Sequence, residues 1–114
     1  MNIERFEDVI AWKKAQQLTL IVYREFKILR DFSFKDQIQR AVISIGNNIA
    51  EGFERQTNKE LIHFLYIAKG SCGEVRSMLY IALELGYIAK SKFQEMYNLS
   101  YEVSRILAGF IKKL

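Results

Sequence analysis

The chain has 114 residues, half of them apolar, and seventeen Lys and Arg against thirteen Asp and Glu give it a net charge of +4. That length supports one hydrophobic core and excludes two domains of ordinary size, and a basic excess this small permits an anionic partner without naming one. The absence of proline, with six glycines scattered singly, argues against a β-sandwich or a loop-built enzyme site and for long helices.

Periodicity and capping residues predict four helices, at about residues 7–29, 34–54, 58–85 and 90–113. The first, from Glu7 to Leu29, has a seam of Ala11, Ala15, Leu18, Val22, Phe26 and Leu29. Asp31-Phe32-Ser33 breaks that pattern, and Ser33 with Asp36 has the spacing of a capping box opening the second helix. Its apolar seam is Ile38, Val42, Ile45 and Ile49. Thr57 and Glu60 form a second capping box, and Gly86 is the expected stop of the third helix, with Tyr87 and Ile88 folding back on its last turn. The fourth helix starts near Lys90 or Ser91 and buries Phe93, Tyr97, Val103, Leu107, Phe110 and Leu114. Short connections between long helices force antiparallel neighbours, so the expected fold is all-α, an up-down-up-down four-helix bundle forming a single domain.

The third helix carries more apolar surface than one bundle uses. Leu61, Leu65, Ala68, Cys72, Val75, Leu79 and Ala82 make a complete seam, and Phe64, Ile67, Ser71, Glu74, Met78, Ile81 and Leu85 run beside it. A helix apolar on so many sides is pressed against other chains unless it lies at the centre of a larger protein. Self-association is therefore expected.

The second helix also has a polar line at steps of three and four: Gln37, Ala41, Ser44, Asn48, Glu51 and Arg55, with Arg40 adjacent. Antiparallel pairing about a turn near Gln56 sets Ser44 level with Lys69 and Gly70, and Arg40 level with Glu74 as a partly buried ion pair. Gly70 within a helix costs about 1 kcal/mol relative to alanine, which implies a packing reason for it. Gln37, Arg40, Ser44, Asn48, Glu51, Arg55, Gly70, Ser71 and Glu74 read better as a network fixing helix register, or as a subunit interface, than as a ligand site, because no nucleophile and base come together.

The run from Gln37 through Arg40-Ala41, Ser44-Ile45 and Asn48-Ile49-Ala50-Glu51-Gly52 to Arg55 resembles the signature of the 23S rRNA intervening-sequence protein family. Phe6, Trp12 and Ala15, the stretch Phe64-Leu65 to Glu74, and Gly86-Tyr87 extend the resemblance over essentially the whole chain. It implies a left-handed up-down bundle assembled as a ring-shaped homopentamer, with no enzymatic activity. A related branch, the accessory variability determinants of diversity-generating retroelements, is a basic pentamer that binds nucleic acid and a reverse transcriptase. Phe32-Ser33-Phe34 stands where the family often has a proline-containing turn, and Ala89 where a capping serine is common.

Other chemistry is thinly represented. His63 lacks a second ligand at metal spacing, Cys72 lies on the apolar seam, and there is no glycine-rich phosphate loop; no catalytic residue, metal or cofactor is expected. A lone cysteine forms no internal disulfide and fits the reducing cytoplasm. Met1-Asn2-Ile3-Glu4-Arg5 is charged where a signal peptide is apolar, and no stretch approaches the roughly twenty apolar residues of a membrane span. Lys27, Arg30, Lys35, Lys90 and Lys92 fall at one bundle end and are the candidate contacts to RNA or DNA, although acids intersperse them and only a small positive excess remains. The leading expectation is an oligomeric nucleic-acid-binding accessory protein. The alternative is a pentameric scaffold that docks a partner protein and touches no nucleic acid.

Overall fold

Apolar steps of three and four close into helices at each of the four expected places. The computed structural model describes residues 5–114; apart from Arg5, the charged N-terminal run discussed above lies outside them. A 3-10 turn at Phe6–Asp8 is followed by α1 (Ile10–Glu25), α2 (Phe32–Phe53), α3 (Asn58–Glu84) and α4 (Lys90–Lys112). The assembly of helices is 43 × 22 × 19 Å, and its long axis matches the roughly 40 Å that α3 spans at 1.5 Å per residue.

The first helix is shorter than the expected 7–29. Val9 is extended (φ −78°, ψ 121°) and buried, which separates Glu7 from α1. At the other end the backbone leaves the helix at Phe26, whose fully buried ring packs 5.9 Å from that of Phe34. Phe26 and Leu29 still face inward, but a turn carries them there rather than a further helical turn.

The start of α2 also differs from expectation. Asp31, not Ser33, is the cap: its Oδ1 accepts from the Phe34 N–H at 3.2 Å, while Asp36 pairs with Arg40. Thr57 caps α3 as expected, with Oγ1 accepting from the Glu60 N–H at 3.1 Å and donating to the Glu60 carboxylate at 3.0 Å. Gly86 ends that helix at φ +74°, and the Tyr87 N–H to Ala82 and Gly86 N–H to Leu83 bonds complete a Schellman motif. Ala89 opens α4 with no side-chain cap at all.

Each helix packs on its neighbours in sequence, and α4 closes back on α1. Contact positions run in opposite senses along adjacent helices. Phe26 meets Phe34 and Trp12 approaches Gly46 between α1 and α2; Ser44 meets Ser71, and Gly52 meets Leu61 and Phe64, between α2 and α3; Tyr80 meets Phe93, and Cys72 meets Ser100, between α3 and α4. Leu18, Ile45, Leu65, Leu79 and Leu107 form the centre of the core and have no exposed surface beyond 1%. In α4 the buried line is Phe93, Met96, Ser100, Val103, Ser104 and Leu107, so Tyr97, Phe110 and Leu114 are only half-buried. Serines enter the interior there because Ser100 Oγ donates to the Cys72 carbonyl at 3.1 Å.

A Cβ on Gly52 would lie 3.0 Å from Leu61 Cδ1 and 3.1 Å from Phe64 Cβ, so Gly52→Val should cost about 1–3 kcal/mol in urea denaturation through overpacking between α2 and α3. The Tyr87 hydroxyl donates to Asp31 Oδ2 at 2.6 Å; that bond first, and the Phe34 N–H second, hold the Asp31 carboxyl below its ordinary range. A carboxyl depressed in the native state stabilises above its unfolded pKa and loses that contribution as pH falls through the native value. Tyr87→Phe should therefore raise the Asp31 pKa in an NMR titration and flatten the decline of Tm on acidification; an unchanged Asp31 titration would contradict this.

Candidate functional site

The polar line of α2 forms part of a network with α3. Ser44 Oγ lies 2.9 Å from Ser71 Oγ, and Asn48 Nδ2 donates to the Ser44 carbonyl at 2.8 Å and to its hydroxyl at 2.9 Å. Gln37 Nε2 reaches Glu74 at 3.5 Å, at the limit of a hydrogen bond. Arg55 pairs with Glu51 at 3.1 Å one turn back, and its guanidinium sits 4.8 Å above the Phe64 ring. These contacts tie helix to helix, or turn to turn, and leave the two hydroxyls without an imidazole or carboxylate partner to take a proton.

Arg40 does not meet Glu74. It bonds Asp36 at 2.9 Å, one turn back on its own helix, with both side chains largely exposed, because a local partner at the i,i+4 spacing satisfies the guanidinium without burial. The helix register is also one residue from that expected, so Ser44 faces Ser71 rather than Lys69 and Gly70. Gly70 is exposed, and a Cβ there would meet nothing within 4 Å; the close approach expected for it does not occur within the chain.

At the turn end, Tyr87 links the two loops. Its bond to Asp31 and its ring, edge-on to Phe34 at 5.5 Å, hold the α1–α2 and α3–α4 turns together. Lys27, Arg30, Lys35, Lys90 and Lys92 therefore share one end. They are not equally available. Lys35 Nζ donates to the Lys27 carbonyl at 2.7 Å and Lys92 pairs with Glu95 at 3.4 Å. Among the described residues, Lys27, Arg30 and Lys90 are exposed and have no ion-pair partner within 4.0 Å. Ile28 and Phe32, 88% and 67% exposed, stand among them. The sequence carries a signal for Ile28: an isoleucine within Lys27-Ile28-Leu29-Arg30 falls outside the seam and so has no core position to fill.

Three tyrosines form a row along α3 and α4. Tyr80 of α3 and Tyr97 and Tyr101 of α4 follow one another at 5.6 and 6.4 Å between ring centroids. The step of four from Tyr97 to Tyr101 is visible in the sequence. Its interaction with Tyr97 holds the Tyr80 hydroxyl above its ordinary pKa.

Cys72 is buried, and burial pushes its thiol up to about 11, which leaves little thiolate at neutral pH. Among the described residues, no group of three or more His, Cys, Asp or Glu side chains stands where it could hold a metal ion. No described helix is long and apolar enough to cross a membrane.

This helical frame has solved relatives. The chain is similar to a protein of unknown function from the S23 ribosomal protein family of Bacteroides thetaiotaomicron, at 25% identity and a TM-score of 0.85, over 90% of this chain and 99% of that one. No curated protein matches it. The model of the 23S rRNA-intervening sequence proteins matches residues 7–109, which include α1, α2, α3 and most of α4. The chain belongs to the 23S rRNA-intervening sequence protein family.

Proposed function

We propose that this protein is a non-enzymatic, cytoplasmic accessory protein that binds RNA or DNA as an oligomer. The observation that carries the reading is the placement of Lys27, Arg30 and Lys90, exposed and, among the described residues, without ion-pair partners, beside two turns that Tyr87 holds together. Three exposed ammonium and guanidinium groups on a fixed platform suit a phosphate backbone, which is bound by charge.

The oligomer we infer is a left-handed up-down-up-down bundle closing into a ring-shaped homopentamer. The opposed contact positions of adjacent helices support the bundle order. Supporting association, Tyr66, Ile67 and Ile81 of α3 and Leu85 at its C-terminal end remain exposed, and Tyr66 and Ile67 lie within a turn of the open position of Gly70. A ring multiplies the +4 of each chain, so a dispersed excess in one subunit becomes a repeated basic edge. A second reading, a scaffold that docks a partner protein without touching nucleic acid, is favoured by the exposed Ile28 and Phe32 at the same end.

Two outcomes are expected. In an electrophoretic shift assay, binding of RNA or DNA should weaken steeply between about 50 and 200 mM salt, and neutralising Lys27, Arg30 and Lys90 together should lower the salt slope by about two to three. No shift at the lowest salt would leave the scaffold reading in its place. For the oligomer, Gly70→Leu should reduce the mass measured by light scattering, while Gly70→Ala should stabilise the single chain by about 1 kcal/mol through helix propensity; a mass unchanged by leucine would remove Gly70 from the subunit contact.

A further inference from the structure

We propose that the groove between α3 and α4 is a stacking platform for single-stranded nucleic acid, with bases on Tyr80, Tyr97 and Tyr101 and phosphates on Lys69, Arg76 and Arg105. This rests on the nucleic-acid reading above, and it places the strand along the side of the bundle rather than on its basic end alone.

The groove has both halves of the chemistry that a single strand needs. Tyr80 and Tyr101 are 52% and 45% exposed, and Arg76 and Arg105 share the Tyr101 ring with any base that stacks there. The ring of Tyr97 lies between theirs, tilted 36° to Tyr101 and edge-on to Tyr80. The spacing of 5.6 to 6.4 Å between rings is within the reach of successive unstacked bases, which every base can use because each has a π face. The guanidiniums of Arg76 and Arg105 lie 5.7 and 5.9 Å from the Tyr101 centroid, which leaves their outer N–H groups free for phosphate oxygens. Arg76 is steadied by Ser100, whose carbonyl and hydroxyl oxygens lie 3.4 Å from its Nη1.

Charge selects the occupant. The cavity beside Tyr101, about 310 Å³, is lined by Lys69, Arg76 and Arg105 and by no carboxylate. Among the described residues none of these cations has an ion-pair partner within 4.0 Å. A wider hollow of about 630 Å³ towards α1, which shares Tyr97, Tyr101 and Arg105 with that cavity, contains Glu95 and Glu102, although Glu102 is engaged by Lys14 at 2.9 Å. A polyanion is thus drawn to the α3 side of the tyrosine row and kept off the α1 side. A neutral or acidic-rimmed partner would gain nothing from three cations with no acid in the cavity lining between them.

The test uses the full chain and a fluorescein-labelled oligouridylate, with an RNA duplex of equal charge as the comparison. Preference for the single strand is expected. Tyr101→Leu should weaken oligouridylate binding about tenfold without changing the salt slope, because it removes a stacking surface and no phosphate contact. Tyr101→Trp should restore binding. Replacing Arg76 and Arg105 with glutamine should lower the slope by about 1.4. Tyr101 lies on the surface, and circular dichroism of each variant checks that the fold is kept. If wild-type protein binds neither RNA at low salt, the nucleic-acid reading itself fails. If it binds, and Tyr101→Leu retains full affinity while neutralising Lys27, Arg30 and Lys90 abolishes it, the groove proposal alone is overturned. It is also overturned if Tyr101→Leu changes the mass in solution, because the groove then belongs to a contact between copies.

Discussion

The pairing of α2 with α3 is the constraint on which the remaining arrangement depends. At Gly52 the two backbones come so close that the Leu61 carbonyl would lie 3.4 Å from a Cβ, and eight residues earlier Ser44 and Ser71 share a hydrogen bond. Small residues permit the approach, and the hydroxyl pair fixes its register, since a slip of one residue would separate both oxygens. Where two helices are locked at two heights, the outward faces of each are determined as well. The arginines and acids of α2 then stand on one flank of α3, and the tyrosine row stands on the other.

Much of this was legible because it rests on local rules. The Thr57 cap, the Gly86 stop and the seams of α1 and α2 each follow from a few adjacent residues, and the structure places them where spacing did. Long-range pairing was legible only to within a residue. Counting outward from the turn near Gln56 put Ser44 beside Gly70, and the actual partner is Ser71. That small error matters most for Arg40, because a long charged side chain chooses the partner it can reach without losing water, and Asp36 lies one turn away. The serines of α4 were illegible for a different reason. Ser100 is fully buried, and nothing in its own neighbourhood indicates that the Cys72 carbonyl will be there to accept its proton.

The two flanks of α3 differ in kind, which bears on assembly. On the α2 side, Asp36, Glu51, Glu54 and Glu74 are all exposed; on the α4 side, the groove presents arginine, lysine and tyrosine. A ring joins two different patches of each copy, whereas a nucleic-acid surface has to stay uncovered. In the proposed assembly both demands fall on neighbouring faces of one helix, so the strand and the adjacent subunit compete for the margin between them.

The connectivity of the bundle has a kinetic meaning. Each helix docks on the next across a short turn, and only α1 with α4 joins residues far apart in sequence. Folding can therefore proceed by adding one helix at a time to a hairpin already formed, with little loop entropy lost at each step. With no proline anywhere in the chain, no X-Pro isomerisation of tens of seconds delays it. A newly made or heat-unfolded chain should thus bury its core leucines, isoleucines and valines on the millisecond scale or faster, and in the proposed oligomer the slow event would be the encounter between finished subunits.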